Sequence, residues 1–422
     1  MKKNSCLKDC GLSGLCKDRL KSVFHLSTER NLYMKNERAV QLKFYLLQVT
    51  HWCGFASMAS FIVAFLLSKG LDNSRMSIMM AVYMLMAFLG QFFWGSICDS
   101  KQANKKVFIL TEILLLGMYY LIYFFSDNFS IIYVLYPLLG FIIVPISSNL
   151  DSWLLKCFVH RPEVYGPSRG CSALGFGLFC LFYGKIITAV GYHIMPFVAT
   201  GFIAVTVLVA LTQPEAPAAA GSAAAKKMSA KDIASLVRIP IYILLILMLF
   251  FMGLSMAPIN NMKIVILQNV GGTVEHQGYD SFFGCLVQTP FFFLAAKIKR
   301  LPQNLRVFLA ALSIVLMIGI DMFASSPYVI IAADMFYFVG YSILLPTYRE
   351  ITESVVPANI KTTAHGLCDA VFASLAGMIA MSCSGTLMDS VGVSAVIRIC
   401  FVLCCIAFAT SLVFIRMNRK KA

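Results

Sequence analysis

The sequence predicts an all-α polytopic membrane protein: twelve transmembrane helices in two six-helix bundles. Three observations carry this. Hydrophobic types make up 59% of the 422 residues and charged types 13%, against ~45–50% and ~25% in an ordinary soluble domain. The apolar residues fall in twelve stretches, each able to supply the ~20 residues that cross the hydrocarbon layer. All but five of the 35 Lys and Arg lie in the tails or in alternate loops, the bias of cytoplasmic segments.

Residues 1–42 form a basic tail without the apolar core of a signal peptide. Its Cys6, Cys10 and Cys16 lack a fourth ligand at zinc-like spacing. Six spans follow, near 43–68, 75–97, 106–126, 129–155, 166–190 and 194–212. The loop near 213–238 is rich in Ala, Gly, Ser and Pro and reads as a flexible linker. Six more spans lie near 239–262, 278–296, 305–324, 328–348, 363–386 and 393–415. Strand-type alternation is absent, which rules out a β-barrel. The expected organisation is a tail (1–42), a bundle (43–213), a linker (214–237), a second bundle (238–416) and a short tail (417–422).

Only Lys69, Arg75, Lys185, Lys263 and Arg398 escape the charge bias. Twelve crossings then place both termini in the cytoplasm, with the chain in the plasma (cell inner) membrane. The bias also accounts for the net charge of +15, so nucleic acid is not needed as a partner. Short loops exclude a large catalytic domain. No loop holds a His–Asp dyad, paired carboxylates or metal-ligand spacing, so neither enzyme activity, cofactor nor metal is expected. The basic tail is short for the output domain of a sensor or scaffold.

Ionisable residues inside a span are costly and face a cavity or a partner. Asp151, at the end of the fourth span, and Arg169, opening the fifth, lie at similar depth. They suit either charge-assisted bonds to solute hydroxyls or a structural ion pair. His51 and Trp52 share a face with Gln48 and Phe55, fit for stacking or proton relay, or for packing alone. Pro258 predicts a kink in the seventh span beside Asn260 and Asn261, and Gln288, Thr289 and Pro290 predict a polar break in the eighth. Lys263 is expected to snorkel at the outer interface. Asp334 heads a stripe with Tyr337 and Tyr341, and Asp369 follows His365 by four residues. Asp334 is read as a proton carrier or as a tie to a neighbouring helix or outer loop, and Asp369 as a proton carrier or as part of close helix packing among Ala370, Ala373, Ser374 and Gly377. Glu112 and Asp321, nearer span ends, are read as structural.

The second-to-third loop, GSICDSKQANKK, resembles the motif of the major facilitator superfamily. Gly95, Asp99, Lys105 and Lys106 match it, with Gln102 or Ala103 in place of the second Gly. The resemblance implies a conformational-gating loop in which Gly95 permits close helix approach and Asp99 bridges to a neighbour. Tyr165, Gly166, Arg169, Leu174, Gly175 and Phe176 are similar to the fifth-helix signature of its lactose-permease-like branch, the oligosaccharide:proton and nucleoside:proton symporters. That likeness implies Asp151 as a sugar-binding carboxylate, Arg169 as its partner and Phe176 as the stacking ring. The second half departs: Cys285, Phe336 and Val339 stand where the branch carries its acids and histidine.

The expected function is secondary active transport of a small polar solute, a sugar, oligosaccharide or nucleoside, by alternating access and proton symport. The alternative is efflux of drugs or metabolites. Two six-helix repeats place the site near the midplane. The expected partners are the solute, protons and the lipid bilayer, and the chain is expected to act as a monomer.

Overall fold

The computed structural model describes residues 37–217, 235–236, 238–357 and 360–419. The N-terminal cysteines and most of the linker lie outside them. Twelve membrane-length helices are present among the described residues. They are α1 (Glu37–Ser68), α2 (Asn73–Lys101), α3 (Asn104–Phe124), α4 (Phe129–Cys157), α5 (Pro162–Val190) and α6 (Tyr192–Leu211). The second half contributes α7 (Pro240–Asn261, continued by Lys263–Asn269), α8 (Val274–Ile298), α9 (Gln303–Asp321), α10 (Pro327–Val355), α11 (Thr363–Val391) and α12 (Val393–Arg419).

Local chemistry sets the ends. Asp72 accepts from Arg75 N at the start of α2, Asn128 from Ile131 N at α4, and Ser326 from Tyr328 N at α10, each supplying an acceptor to an orphan first-turn donor. Pro327 opens α10 at its first residue, where a missing N–H costs nothing. Gly191 and Gly392 close α5 and α11 at φ of 101° and 91°, a region L-residues avoid.

The halves repeat one frame. In α1 the helix breaks at residues 59–61 and resumes as Ile62–Ser68, and in α7 it breaks at Met262 and resumes as Lys263–Asn269. Ile62 therefore corresponds to Lys263, a shift of 201 residues. The same shift relates Gly70 to Gly271, both at positive φ, and the first residues of α2 and α8, Asn73 and Val274. α1 has no proline at its break, so Pro258 is not the cause common to both. The predicted break in α8 is absent: the helix runs through Pro290, and Thr289 bonds back to Cys285 O at 2.7 Å.

Within the halves, α2 packs along α4 and α9 along α10; between them, α5 packs along α8 and α2 along α11. Close backbone approach explains several glycines. A Cβ on Gly90 would stand 2.2 Å from Phe141 O, one on Gly140 2.4 Å from Tyr83 O, and one on Gly278 2.4 Å from Cys180 O. Polar ties between the halves gather at the end away from the termini. Asp389 of α11 accepts from Asn73 Nδ2, Ser74 N and Ser74 Oγ of α2 at 2.7–2.8 Å. Gln277 Nε2 of α8 donates to Ser60 O of α1 at 2.7 Å.

Candidate functional site

Between the halves lies a cavity of about 390 Å³. The two helix breaks line it with matched positions: Ala59, Ser60, Ile62 and Val63 from α1 face Asn260, Asn261, Lys263 and Ile264 from α7. A break lets these residues turn toward the cavity where a continuous helix would spread them around its axis. The frame is symmetric and its chemistry is not. Ile62 has Lys263 as its counterpart, and Met79 has Asp280. α4 and α10, whose caps Asn128 and Ser326 start the count, set Tyr136 against Asp334. Apolar and phenolic residues in one half are thus replaced by charges in the other.

Those charges form a cluster. Lys263 Nζ lies 2.5 Å from Asp334 Oδ2, with the side chains 8% and 2% exposed. Asp280 of α8 and Asp321 of α9 face the same pair. Asp280 Oδ1, Asp334 Oδ1 and both Asp321 oxygens are buried without a hydrogen-bond partner. The expectation for Lys263 is corrected here: it is buried and paired, because the break in α7 turns it inward. Asp321 also belongs to this cluster and is not merely a helix-end residue. Asp280 escapes the sequence reading because it falls where the eighth span is expected to begin, although it stands at the seventh position of a 25-residue helix. The aromatic stripe is present in part: Tyr337 lines the cavity, and its ring lies 5.6 Å from Tyr341.

Toward the termini, a smaller cavity of about 180 Å³ is lined by Trp52, Arg169, Ser172 and Gln288. Phe176 of α5 and Phe338 of α10 line both cavities and stand between them. Asp151 and Arg169 do meet, at 3.8 Å, beyond hydrogen-bond distance. Asp151 instead accepts from Gln48 Nε2 at 2.8 Å and from the Tyr165 hydroxyl at 3.1 Å. Arg169 lies over the Trp52 ring at 5.0 Å, and its Nη1 is buried without a hydrogen-bond partner.

His51 does not face the solute space. It is turned into the N-terminal half, with Nδ1 2.5 Å from Glu112 Oε1, so its expected place in the site is corrected. Glu112 is itself buried at helix depth. Asp369 lies apart from the central cluster, bonded by the Tyr348 hydroxyl, 3.8 Å from Arg349 and 47% exposed on its side chain. A Cβ on Gly95 would meet nothing within 4 Å, so close approach is served by Gly90 instead. Asp99 does bridge, to Lys156 of α4 at 3.5 Å. Lys105 donates Nζ to Leu211 O and Gln213 O and its backbone N–H to Glu215, holding the end of α6. Lys106 is exposed. Among the described residues no group of His, Cys, Asp or Glu is placed to hold a metal ion.

Two six-helix bundles enclosing a charged, aromatic-walled cavity define a polytopic transporter of the major facilitator type. The chain belongs to the family described as MFS_1 like family, whose model matches residues 42–399. No curated protein matches along the sequence. The fold is similar to that of the nucleoside transporter NupG, with a TM-score of 0.74 and 12% identity over 90% of this chain and 99% of that one. It is also similar to a D-xylose-proton symporter, with a TM-score of 0.64 and 12% identity over 89% and 95%, and to a POT family peptide transporter, with a TM-score of 0.66 and 12% identity over 90% and 97%.

Proposed function

We propose that this chain carries a small polar solute, a sugar, oligosaccharide or nucleoside, by alternating access coupled to proton symport. It acts as a monomer in the plasma membrane with both termini cytoplasmic. The observation that carries the reading is the central cavity, which sets two carboxylates, each with an oxygen left without a hydrogen-bond partner, beside aromatic and amide walls. Its volume lies within the ~300–1,000 Å³ of small-molecule sites and suits a nucleoside or a mono- or disaccharide better than a long chain. The nucleoside and xylose named for two proteins of similar fold support a cargo of this kind.

Asn260 and Asn261 supply amide donors and acceptors to the solute, and Phe176 and Trp52 supply ring faces. Asp151 and Arg169 receive its hydroxyls on the side of the termini. Asp334 is the coupling group. Three carboxylates share one ammonium, and unbalanced buried charge is costly. A proton on Asp334 removes one of the two uncompensated negative charges and frees Lys263 to turn to Asp280 or Asp321. Asp369, half exposed and already bonded, is the weaker candidate. The loop with Gly95, Asp99, Lys105 and Lys106 keeps the first bundle together as the halves rock.

The test is uptake of radiolabelled uridine, galactosides and xylose into vesicles reconstituted with the purified protein. An imposed inward proton gradient is expected to drive accumulation that a protonophore abolishes. Asp334→Asn should keep solute exchange and lose accumulation. Uptake indifferent to the gradient would end the coupling proposal, and proton-driven export would favour efflux.

A further inference from the structure

A buried ionisable pair in the N-terminal half has no part in that scheme. His51 and Glu112 are each 1% exposed and meet through Nδ1 and Oε1 at 2.5 Å. Their other polar atoms, His51 Nε2 and Glu112 Oε2, are buried without a hydrogen-bond partner. So is the Tyr119 hydroxyl, seven residues further along the same face of α3. Three orphaned polar atoms along one seam are expensive at membrane depth. Packing alone would be served better by apolar side chains. With one proton between them the pair is neutral; without it the pair is an anion.

The pair stands directly behind the wall of the smaller cavity. The His51 ring is 5.6 Å from Trp52 and nearly perpendicular to it. Trp52 bears the Arg169 guanidinium and donates Nε1 to Gln48 Oε1 at 3.2 Å, and Gln48 donates to Asp151. The titratable and charged groups around the pair are Tyr119 on α3 and, through Trp52 and Gln48, Asp151 on α4 and Arg169 on α5. α6 contributes neutral Thr206, bonded to Thr50 at 2.9 Å.

We propose that His51 and Glu112 form a second proton-binding site whose occupancy positions Trp52 against the solute. Both are positioning residues, acting through the indole. The proton comes from water and rests on the imidazole, making an imidazolium–carboxylate pair, with no other bond made or broken. The two halves then each carry one protonatable centre.

The test needs no solute, so it stands or falls apart from the cargo. The chain has three tryptophans, and Trp94→Phe with Trp153→Phe leaves Trp52 as the sole reporter in the full-length protein. A protonated imidazole quenches a neighbouring indole. The emission of Trp52 is expected to fall along a single titration curve as pH is lowered. The curve should vanish in His51→Asn, move in Glu112→Gln and stay in Asp334→Asn. Flat emission in the Trp52-only protein overturns the proposal, as does a curve that survives His51→Asn. Should the double replacement not fold, the emission difference between wild type and Trp52→Phe gives the same reading.

Discussion

Lys263 is the residue on which the central cluster turns. It is the one cation among three buried carboxylates, so removing it alone leaves negative charge without a partner. Lys263→Met is expected to cost about 3–5 kcal/mol, read as a fall in the unfolding temperature of the purified protein. Adding Asp334→Leu should recover part of that loss, because the orphaned charge goes with it. Lower stability in the double variant than in Lys263→Met would show that the pair is not the unit described here. Arg169 makes a different demand. Its contact with Asp151 is long, while its guanidinium carbon lies 5.0 Å over the Trp52 ring, a contact for which a lysine ammonium, a compact point charge, is not equivalent. Arg169→Lys is therefore expected to lower solute affinity at unchanged protein level. A variant that binds like the wild type would reduce Arg169 to a generic charge.

At the scale of helices, the contact between α2 and α11 depends on one absent side chain. A Cβ on Gly385 would stand 2.0 Å from Asn73 O and 2.2 Å from Ser77 Oγ, and backbone cannot retreat as a flexible side chain can. Gly385→Ala should push the two helices apart at the end where the halves are tied. The expected outcome is faster labelling of a cysteine placed at Ser281, in the cavity wall, by a reagent applied on that side. Unchanged labelling would mean that the helices adjust without opening. The breaks in α1 and α7 belong to the same scale. They turn short runs of residues into the cavity, and the second supplies the amides and the lysine.

For the whole molecule, the ties from Asp389 to Asn73 and Ser74 hold the halves together on the side away from the termini. Alternating access requires that they part. In a cysteine-free background, Ser74→Cys with Asp389→Cys should cross-link on oxidation and stop transport, with recovery on reduction. Undiminished transport by the cross-linked protein would rule out rocking at this interface. Cross-linking places the requirement on the relation between the halves, which neither bundle contains alone.

The membrane class, the number of helices and their order are legible along the chain alone. Hydropathy, span length and the Lys/Arg bias are local or additive quantities, and no tertiary information is needed to read them. The sequence also brings Asp151 and Arg169 together, since neighbouring helices of opposite direction set their depth. Which way the interior polar residues face follows from how the helices pack. A one-residue change of helix phase turns a side chain by about 100°, so His51 points to Glu112 while its neighbour Trp52 faces the cavity. The pairing of Lys263 with Asp334, and the arrival of Asp280 and Asp321 beside them, join four helices. That convergence comes from the break in α7 and the packing of one half, and no spacing along the chain records it.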